Sequence, residues 1–182
     1  MRNVCSITHL WEAAVRENVY TPANMHNTDC YDLEYDVPNL ATGYTRLGTE
    51  DGGPWRNNIF IHVVKGGSAG GGYSTVEDLL NFDIALRTNK LLNPEHTDLS
   101  TTGKLLPYEN PDKQKRLGYG FMENRVQGER IIGHIGGFEG ISAVLAMYMH
   151  SGYTLAVLSN YDHGVMGVHL KFDELLLEIQ II

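Results

Sequence analysis

The residues best suited to chemistry in this 182-residue sequence lie in two glycine-rich stretches, 66–72 and 133–140. The first stands between an apolar run and an amphipathic one, the order found in phosphate-binding loops. Such a loop needs a Lys and a Ser or Thr at the helix start to hold phosphate and Mg²⁺. Here Gly71 is followed by Gly72 and Tyr73, and the G-x-G-x-x-G register is not met either. Nucleotide chemistry is excluded at this loop. The same stretch spells Gly66-Gly67-Ser68-Ala69-Gly70, a G-x-S-x-G in which a serine on a strained strand-to-helix turn would be a nucleophile. An esterase built this way would use Ser68 with Asp78 or Asp98 and His134 or His163. Its helix must begin at the serine, so that the following N–H groups stabilise an oxyanion. The helix signals here begin only at Ser74, so a tight, close-packed turn is the simpler reading.

The second stretch, Gly133-His134-Ile135-Gly136-Gly137-Phe138-Glu139-Gly140, stands at the end of one expected strand and the approach to the next. It sets His134 among glycines, which let another backbone approach closely. Histidine donates a hydrogen bond or moves a proton near neutral pH. Taken alone, His134 reads better as a strand-end histidine bonded to a nearby loop. The remaining histidines, His9, His26, His62, His96, His150, His163 and His169, show no ligand spacing, and no HExxH or CxxC accompanies them. Neither a metal nor another cofactor is expected.

The elements that must position these residues follow from periodicity. Leu10, Trp11, Ala14, Val15 and Val19 recur at helical spacing, with Pro22 expected to close the helix. Residues 21–55 read as a long irregular excursion with one brief strand near 41–46. Residues 59–64, Ile-Phe-Ile-His-Val-Val, predict a strand. Ser74 with Glu77 predicts a capping box, opening a helix whose apolar face is Val76, Leu79, Leu80, Ile84 and Ala85 and which runs to about Arg87. A polar, Pro-containing loop with one short helical turn follows to Lys115. Residues 119–127, 130–134, 142–149 and 154–159 then predict an antiparallel meander, broken at Gly128, at 136–140 and at Ser151-Gly152. A final helix carries Val165, Val168, Phe172, Leu175, Leu176 and Ile179 as one stripe, expected to cover a sheet face. The fold class is α+β. The expected organisation is a single partial domain over 1–182, with 1–115 as helices and loops and 116–182 as antiparallel strands plus the C-terminal helix.

Composition narrows the partners. Twenty-two acidic against fourteen basic residues give a net charge of -8, and no basic run interrupts it. A nucleic-acid or anionic-membrane footprint is therefore absent. No stretch approaches the roughly 18 apolar residues of a membrane span, and no apolar segment follows Arg2 as in a leader. Cys5 and Cys30 form one bridge or remain two buried thiols, and neither choice identifies a compartment.

Three ordered segments carry a resemblance. Pro22-Ala23-Asn24-Met25-His26-Asn27-Thr28 is similar to a Pro-Leu/Ala-Gly-Met-x-x-Thr segment. Residues 68–79, Ser-Ala-Gly-Gly-Gly-Tyr-Ser-Thr-Val-Glu-Asp-Leu, resemble an Ala-Gly-Gly-x-x-Ser-Thr-x-x-Asp-Leu element. Leu117-Gly118-Tyr119-Gly120-Phe121 with Gly133-His134-Ile135-Gly136-Gly137 looks like a Gly-Tyr-Gly and Gly-His-x-Gly-Gly pair. Together they resemble the C-terminal part of serine hydrolases of the β-lactamase and penicillin-binding-protein superfamily, the class C-related esterase and D-aminopeptidase branch. The resemblance implies that His134 takes the lysine's place in a Lys-Thr-Gly strand and that Ile135 replaces the usual hydroxyl residue. It also implies that Gly136 lets substrate backbone approach and that the Gly137 N–H is one oxyanion donor.

The family's nucleophile is a serine in Ser-x-x-Lys. Ser6, Ser68, Ser74, Ser100, Ser142, Ser151 and Ser159 are followed three positions on by His9, Gly71, Glu77, Gly103, Leu145, Thr154 and Asp162, so none fits. Tyr108-Glu109-Asn110 spells Tyr-x-Asn, but it follows the Ala-Gly-Gly segment, whereas the family's element precedes it. In family order both missing motifs fall upstream of Leu10, so the chain is expected to be a C-terminal fragment, inactive alone. A small-molecule or peptide acyl substrate is expected only once the missing region is supplied. An exposed sheet edge makes a homo-oligomer or a complementary segment the expected partner. The competing readings are a non-catalytic binding module on the same strand groove and the Ser68 esterase.

Overall fold

The structure, a computed structural model, describes residues 11–48, 53–106 and 115–179, of which 177–179 as backbone only. Cys5, Ser6, His9, Leu10 and the Tyr108-Glu109-Asn110 triplet lie outside the described residues.

Residues 11–23 form helix α1. Pro22 does not close it. Proline sits inside the last turn, Thr21–Ala23, and Arg16–Tyr20 opens into a π-turn whose end is marked by the Thr21 N–H reaching the Arg16 carbonyl. Proline lacks the N–H and its ring would strike the carbonyl four residues back, which a widened turn just before it avoids. The helix ends at Asn24, left-handed at φ 59°, where the resembled segment carries glycine.

Helix α2, Val76–Arg87, begins one residue later than predicted. Thr75 is the N-cap, and its hydroxyl accepts from Asp78 N–H at 3.2 Å. Ser74 instead meets the Thr28 hydroxyl at 2.8 Å. Asp78, 3% exposed, accepts from Asn27 N–H and from Thr28 Oγ1, each at 2.7 Å. The first two resembled segments are thus one hydrogen-bonded unit. It anchors α1 to α2, and Ala23, Met25 and Ala85 pack between the helices.

Two-residue strands β1, Tyr44–Thr45, and β2, Arg56–Asn57, pair antiparallel; β1 falls within the single strand predicted near 41–46, and β2 is an addition to it. Residues 59–64 are not a strand. Asn57 Oδ1 accepts from Ile59 N–H, and the Asn58 carbonyl accepts from Ile61 and His62 N–H groups, so the run turns back on itself. Its apolar side chains stay outside, with Phe60 97% exposed. Helix α3, Pro94–Thr101, is longer than the single turn predicted and is capped by Asn93 Oδ1 accepting from His96 N–H.

The remaining strands are β3, Arg116–Leu117, β4, Met122–Val126, β5, Glu129–Phe138, β6, Ile141–Tyr148, and β7, Thr154–Ser159. They form a five-stranded antiparallel sheet in sequence order. Helix α4, Met166–Ile179, covers one face, where Val165, Phe172 and Leu176 pack on Ile131, Val144, Ala146, Tyr148 and Leu155. Val168 and Leu175 of the predicted stripe are about half exposed, because the stripe is wider than the side of the helix that touches the sheet. Leu86 and Phe82 of α2 pack on Ile132 and Met147 of the other face. The order of layers is therefore α4, sheet, α2, α1, an α+β arrangement. A buried staple holds α2 to the β6–β7 hairpin. Asp83, 1% exposed, pairs with Arg87 Nε at 2.6 Å and accepts from Thr154 Oγ1, while Arg87 Nη2 donates to the Tyr148 and Tyr153 carbonyls.

Candidate active site

The glycines of 136–140 do not end β5. The strand runs through both to Phe138, and the turn to β6 is only Glu139-Gly140. At Gly133 a Cβ would stand 1.9 Å from the Leu145 carbonyl oxygen, so only glycine fits at that point of the ladder to β6.

The ladder then leaves half of β5 open. Strand β4 pairs with β5 only from Val126↔Glu129 to Met122↔Gly133, so beyond Gly133 β5 is bonded on one side alone. Two-residue turns at both ends set which groups face the gap. In such hairpins the residues flanking the turn form a hydrogen-bonded pair and the parity alternates from there. Counting from Glu129, residues 129, 131 and 133 bond to β4. Counting back from Phe138, residues 138, 136, 134 and 132 bond to β6. Ile135 and Gly137 therefore present N–H and C=O to the open edge.

Side chains alternate across the sheet. Ile132, His134, Gly136 and Phe138 share the α2 face, and Ile131, Ile135 and Gly137 share the α4 face. His134 and the four residues after it are exposed, and no hydrogen bond reaches the His134 imidazole among the described residues. Gly136 meets nothing closer than Ala143 Cβ at 4.0 Å, so its surface is free for an approaching backbone. An open groove of about 640 Å³ runs along the end of β5 and its turn to β6, past Ile135, Gly136, Gly137, Phe138, Ser142 and Met166.

The β5–β6 turn is pinned from three sides. Asp162, in the loop after β7, accepts from Gly140 N–H at 2.5 Å, from Arg46 N–H at 2.8 Å and from Thr45 Oγ1 at 2.9 Å. Burial alone would raise its carboxyl, but these three donors hold it below the ordinary carboxylate range. Asn58, buried, donates Nδ2 to the Glu139 carbonyl at 2.9 Å and its N–H to Gly43 at 3.0 Å. A side chain at Gly140, φ 82°, would collide with Asn58 and with the Tyr44 nitrogen. The other end of the sheet is tied in the same way: Glu123 accepts from Gly103 N–H at 2.6 Å and from Arg130 Nε at 2.9 Å. Burial opposes its ionisation, yet these donors and the nearby Arg125 hold its carboxyl below the ordinary range.

Ser68 is exposed in the Gly67–Gly70 turn, well ahead of the helix that begins at Val76, and no described group hydrogen-bonds its hydroxyl. Asp78 is committed to Asn27 and Thr28. An elbow nucleophile is therefore not formed. Residues that the sequence reading does not place at the site are Asn58, His62 and Asp162. His62 stands edge-on to Phe138, with ring centroids 6.3 Å apart. The Asn57-Asn58 pair is a turn-initiating signal that could have moved His62 out of the predicted strand. Nothing local marks Asp162.

The chain is similar to a penicillin binding protein from Bacillus halodurans, at 27% identity and a TM-score of 0.81, covering 90% of this chain and 48% of that one. It is similar in fold to D-amino acid amidase from Ochrobactrum anthropi SV3 in complex with L-phenylalanine amide, at 21% identity, TM-score 0.72, covering 93% and 51%. It is also similar in fold to the octameric penicillin-binding protein homologue from Pyrococcus abyssi, at 22% identity, TM-score 0.69, covering 82% and 33%. The chain thus spans about half the length, or less, of these solved relatives. No curated protein matches it. The sequence model of the Beta-lactamase family matches residues 8–178, nearly the whole chain, and the chain belongs to that family.

Proposed function

We propose that this chain supplies the substrate edge and the oxyanion side of an acyl-transfer site in a β-lactamase-related hydrolase. The observation that carries this is the unpaired edge of β5, to which parity turns the N–H of Gly137. A donor fixed by the ladder to β6 meets a developing oxyanion with no reorganisation. Gly136 lets a substrate backbone lie along the edge, Ile135 occupies the position of the usual hydroxyl, and His134 stands in the lysine's place on the α2 face as proton donor or shuttle. The acyl donor is a β-lactam, a D-amino-acid peptide or an ester, a reading supported by the likeness to a penicillin binding protein and a D-amino acid amidase, and a penicillin is the matching probe.

No Ser-x-x-Lys occurs in the 182 residues, so the attacking serine comes from a complementary segment, and 1–182 is one partial domain completed by it. The same lack keeps a binding module without turnover as the second reading. The test folds the chain together with the first half of the Bacillus halodurans relative and exposes it to fluorescent penicillin and to a fluorophosphonate. The chain alone stays unlabelled; the assembled pair is acylated on the added half. Gly137→Pro deletes the donor at a position where the N–H is not used by the sheet, and it slows acylation about 100-fold. Labelling of the chain alone that disappears in Ser68→Ala would overturn the proposal. An assembled pair acylated equally fast with Gly137→Pro would overturn the role of the edge.

A further inference from the structure

We infer that the free edge of β7 is a self-association interface, on which a second copy of this chain lays its own β7 antiparallel about a two-fold axis at Ala156, joining the two sheets into one. This stands apart from the acyl-transfer reading, because the open edge of β5 lies two strands away and stays free in both copies.

The edge follows from register. Strand β7 ends the sheet and is bonded on one side alone, to β6. The Tyr148 N–H donates to the Tyr153 carbonyl at 2.9 Å, and the parity alternates from that pair. Leu155, Val157 and Ser159 therefore bond to β6, while Thr154, Ala156 and Leu158 turn N–H and C=O outward. Among the described residues no backbone group bonds to those three. Just past them the edge closes, where the Tyr44 N–H donates to the Asn160 carbonyl at 2.8 Å. Edges of monomers are commonly blunted by Lys, Pro or a bulge. Thr-Leu-Ala-Val-Leu-Ser has no charge and no Pro, and its ladder to β6 is unbroken from Thr154 to Ser159. Paired with itself about Ala156, the strand sets each Thr154 against the Leu158 of the other copy, so all three outward residues are used and no charge meets its like.

Apolar helix flanks stand on both faces of that edge. On α2, Val76, Leu80 and Ile84 recur every fourth residue and are 42%, 45% and 50% exposed. Asp83 marks the flank of α2 turned to β7, since its carboxylate accepts from Thr154 Oγ1, and the apolar row follows next around the helix. On the other face α4 turns Val165, Phe172 and Leu176 to the sheet. Met166, on one flank, reaches the groove beside Ile135 and Gly137 of β5. The opposite flank, with Val168 and Leu175 about half exposed, therefore lies on the β7 side. The outermost row of α4 is instead charged, with Lys171 paired to Glu174. Apolar flanks beneath a charged crest fit a neighbour that lies alongside the helix. A two-fold axis through β7 supplies one on each face, setting α2 beside α2 and α4 beside α4, so each apolar row meets its own copy. With Leu158, these side chains leave on the order of 500 Å² uncovered, and two copies bury about 1,000 Å² or more with the strand backbone, enough for a specific interface.

The experiment follows the mass of the 182-residue chain by sedimentation equilibrium, and its amide hydrogen exchange by NMR, from about 1 to 100 μM, the range suited to an interface of this size. The mass rises to twice 20.3 kDa and stops there, because a two-fold contact closes on itself. The N–H groups of Thr154, Ala156 and Leu158 are protected at the high concentration and exchange freely at the low one, while Leu155 and Val157 stay protected at both. Leu80→Glu, at an exposed position, raises the dissociation constant about ten-fold or more by opposing like charges. Ala156→Pro removes an N–H that β6 does not use, and leaves the chain monomeric. A dimer in which Thr154, Ala156 and Leu158 exchange freely overturns the edge, and a mass that climbs past two copies overturns the closed pair. A monomer at about 100 μM overturns the second copy as occupant. If the first half of the Bacillus halodurans relative then protects those three amides, the edge belongs to a complementary segment instead.

Discussion

Asp162 shows how much of the site depends on one side chain outside it. Its carboxylate gathers Gly140, Arg46 and Thr45, and so ties the β5–β6 turn to β1 and to the loop after β7. Asp162→Ala should cost about 2 kcal/mol, since hydrogen bonds to a charged acceptor are the stronger kind. Urea denaturation at pH 7 measures this, with an unchanged midpoint counting against it. The pH dependence has a fixed sign. A carboxyl depressed in the folded state contributes stability above its unfolded value, about 3.9, and loses it as the pH falls through the lower folded value. Wild-type midpoints should therefore fall below about pH 4, and Asp162→Asn, which does not titrate, should lose less over that interval. Single residues were unevenly legible. Asn24 and Thr28 announce their places through type and spacing, and both do what the resembled segments require. Asp162 is one of many surface-type acids until the chain folds, because its three donors come from sequence positions 116, 117 and 22 residues away.

Elements were legible where local preference and burial agree. The predicted β7, 154–159, matches Thr154–Ser159, since its β-branched and apolar residues are set off by Gly152 and the polar run after Ser159. The disagreements have local causes. In 59–64 the turn chemistry of Asn57 and Asn58 overrides β-propensity. In β5 a Gly-Gly pair reads as a break, yet the ladder to β6 continues through it, with Gly136 opposite Ala143 and Gly137 opposite Ser142. The staple between α2 and the β6–β7 hairpin provides the test at this scale. Asp83→Ala leaves Arg87, mostly buried, without its carboxylate, and should cost about 3 kcal/mol, or about 6–12 °C in Tm for a chain of this size. Calorimetry decides it, and a loss under 2 °C would show that the pair is replaceable by solvent.

At the scale of the whole molecule, several large apolar side chains stand exposed on the described surface. Phe60, Val63 and Val64 stand out beside the site, and Val168, Leu170 and Leu175 lie on the outside of α4. Patches of this kind are covered in stable assemblies. Light scattering at micromolar concentration should return a mass above 20.3 kDa, and a stable monomer at that concentration would count against self-association. Among the described residues no helix is long and apolar enough to cross a membrane. The sequence by itself determined the family, the α+β class, the meander and its last helix, and the lack of Ser-x-x-Lys, because each is written in residue type and short spacing. Only the tertiary structure decided that His134–Phe138 is an open edge, that Gly137 turns its N–H outward, and that His62 stands beside Phe138. Those facts depend on where β4 stops pairing and on contacts between segments about 75 residues apart, which no local pattern encodes.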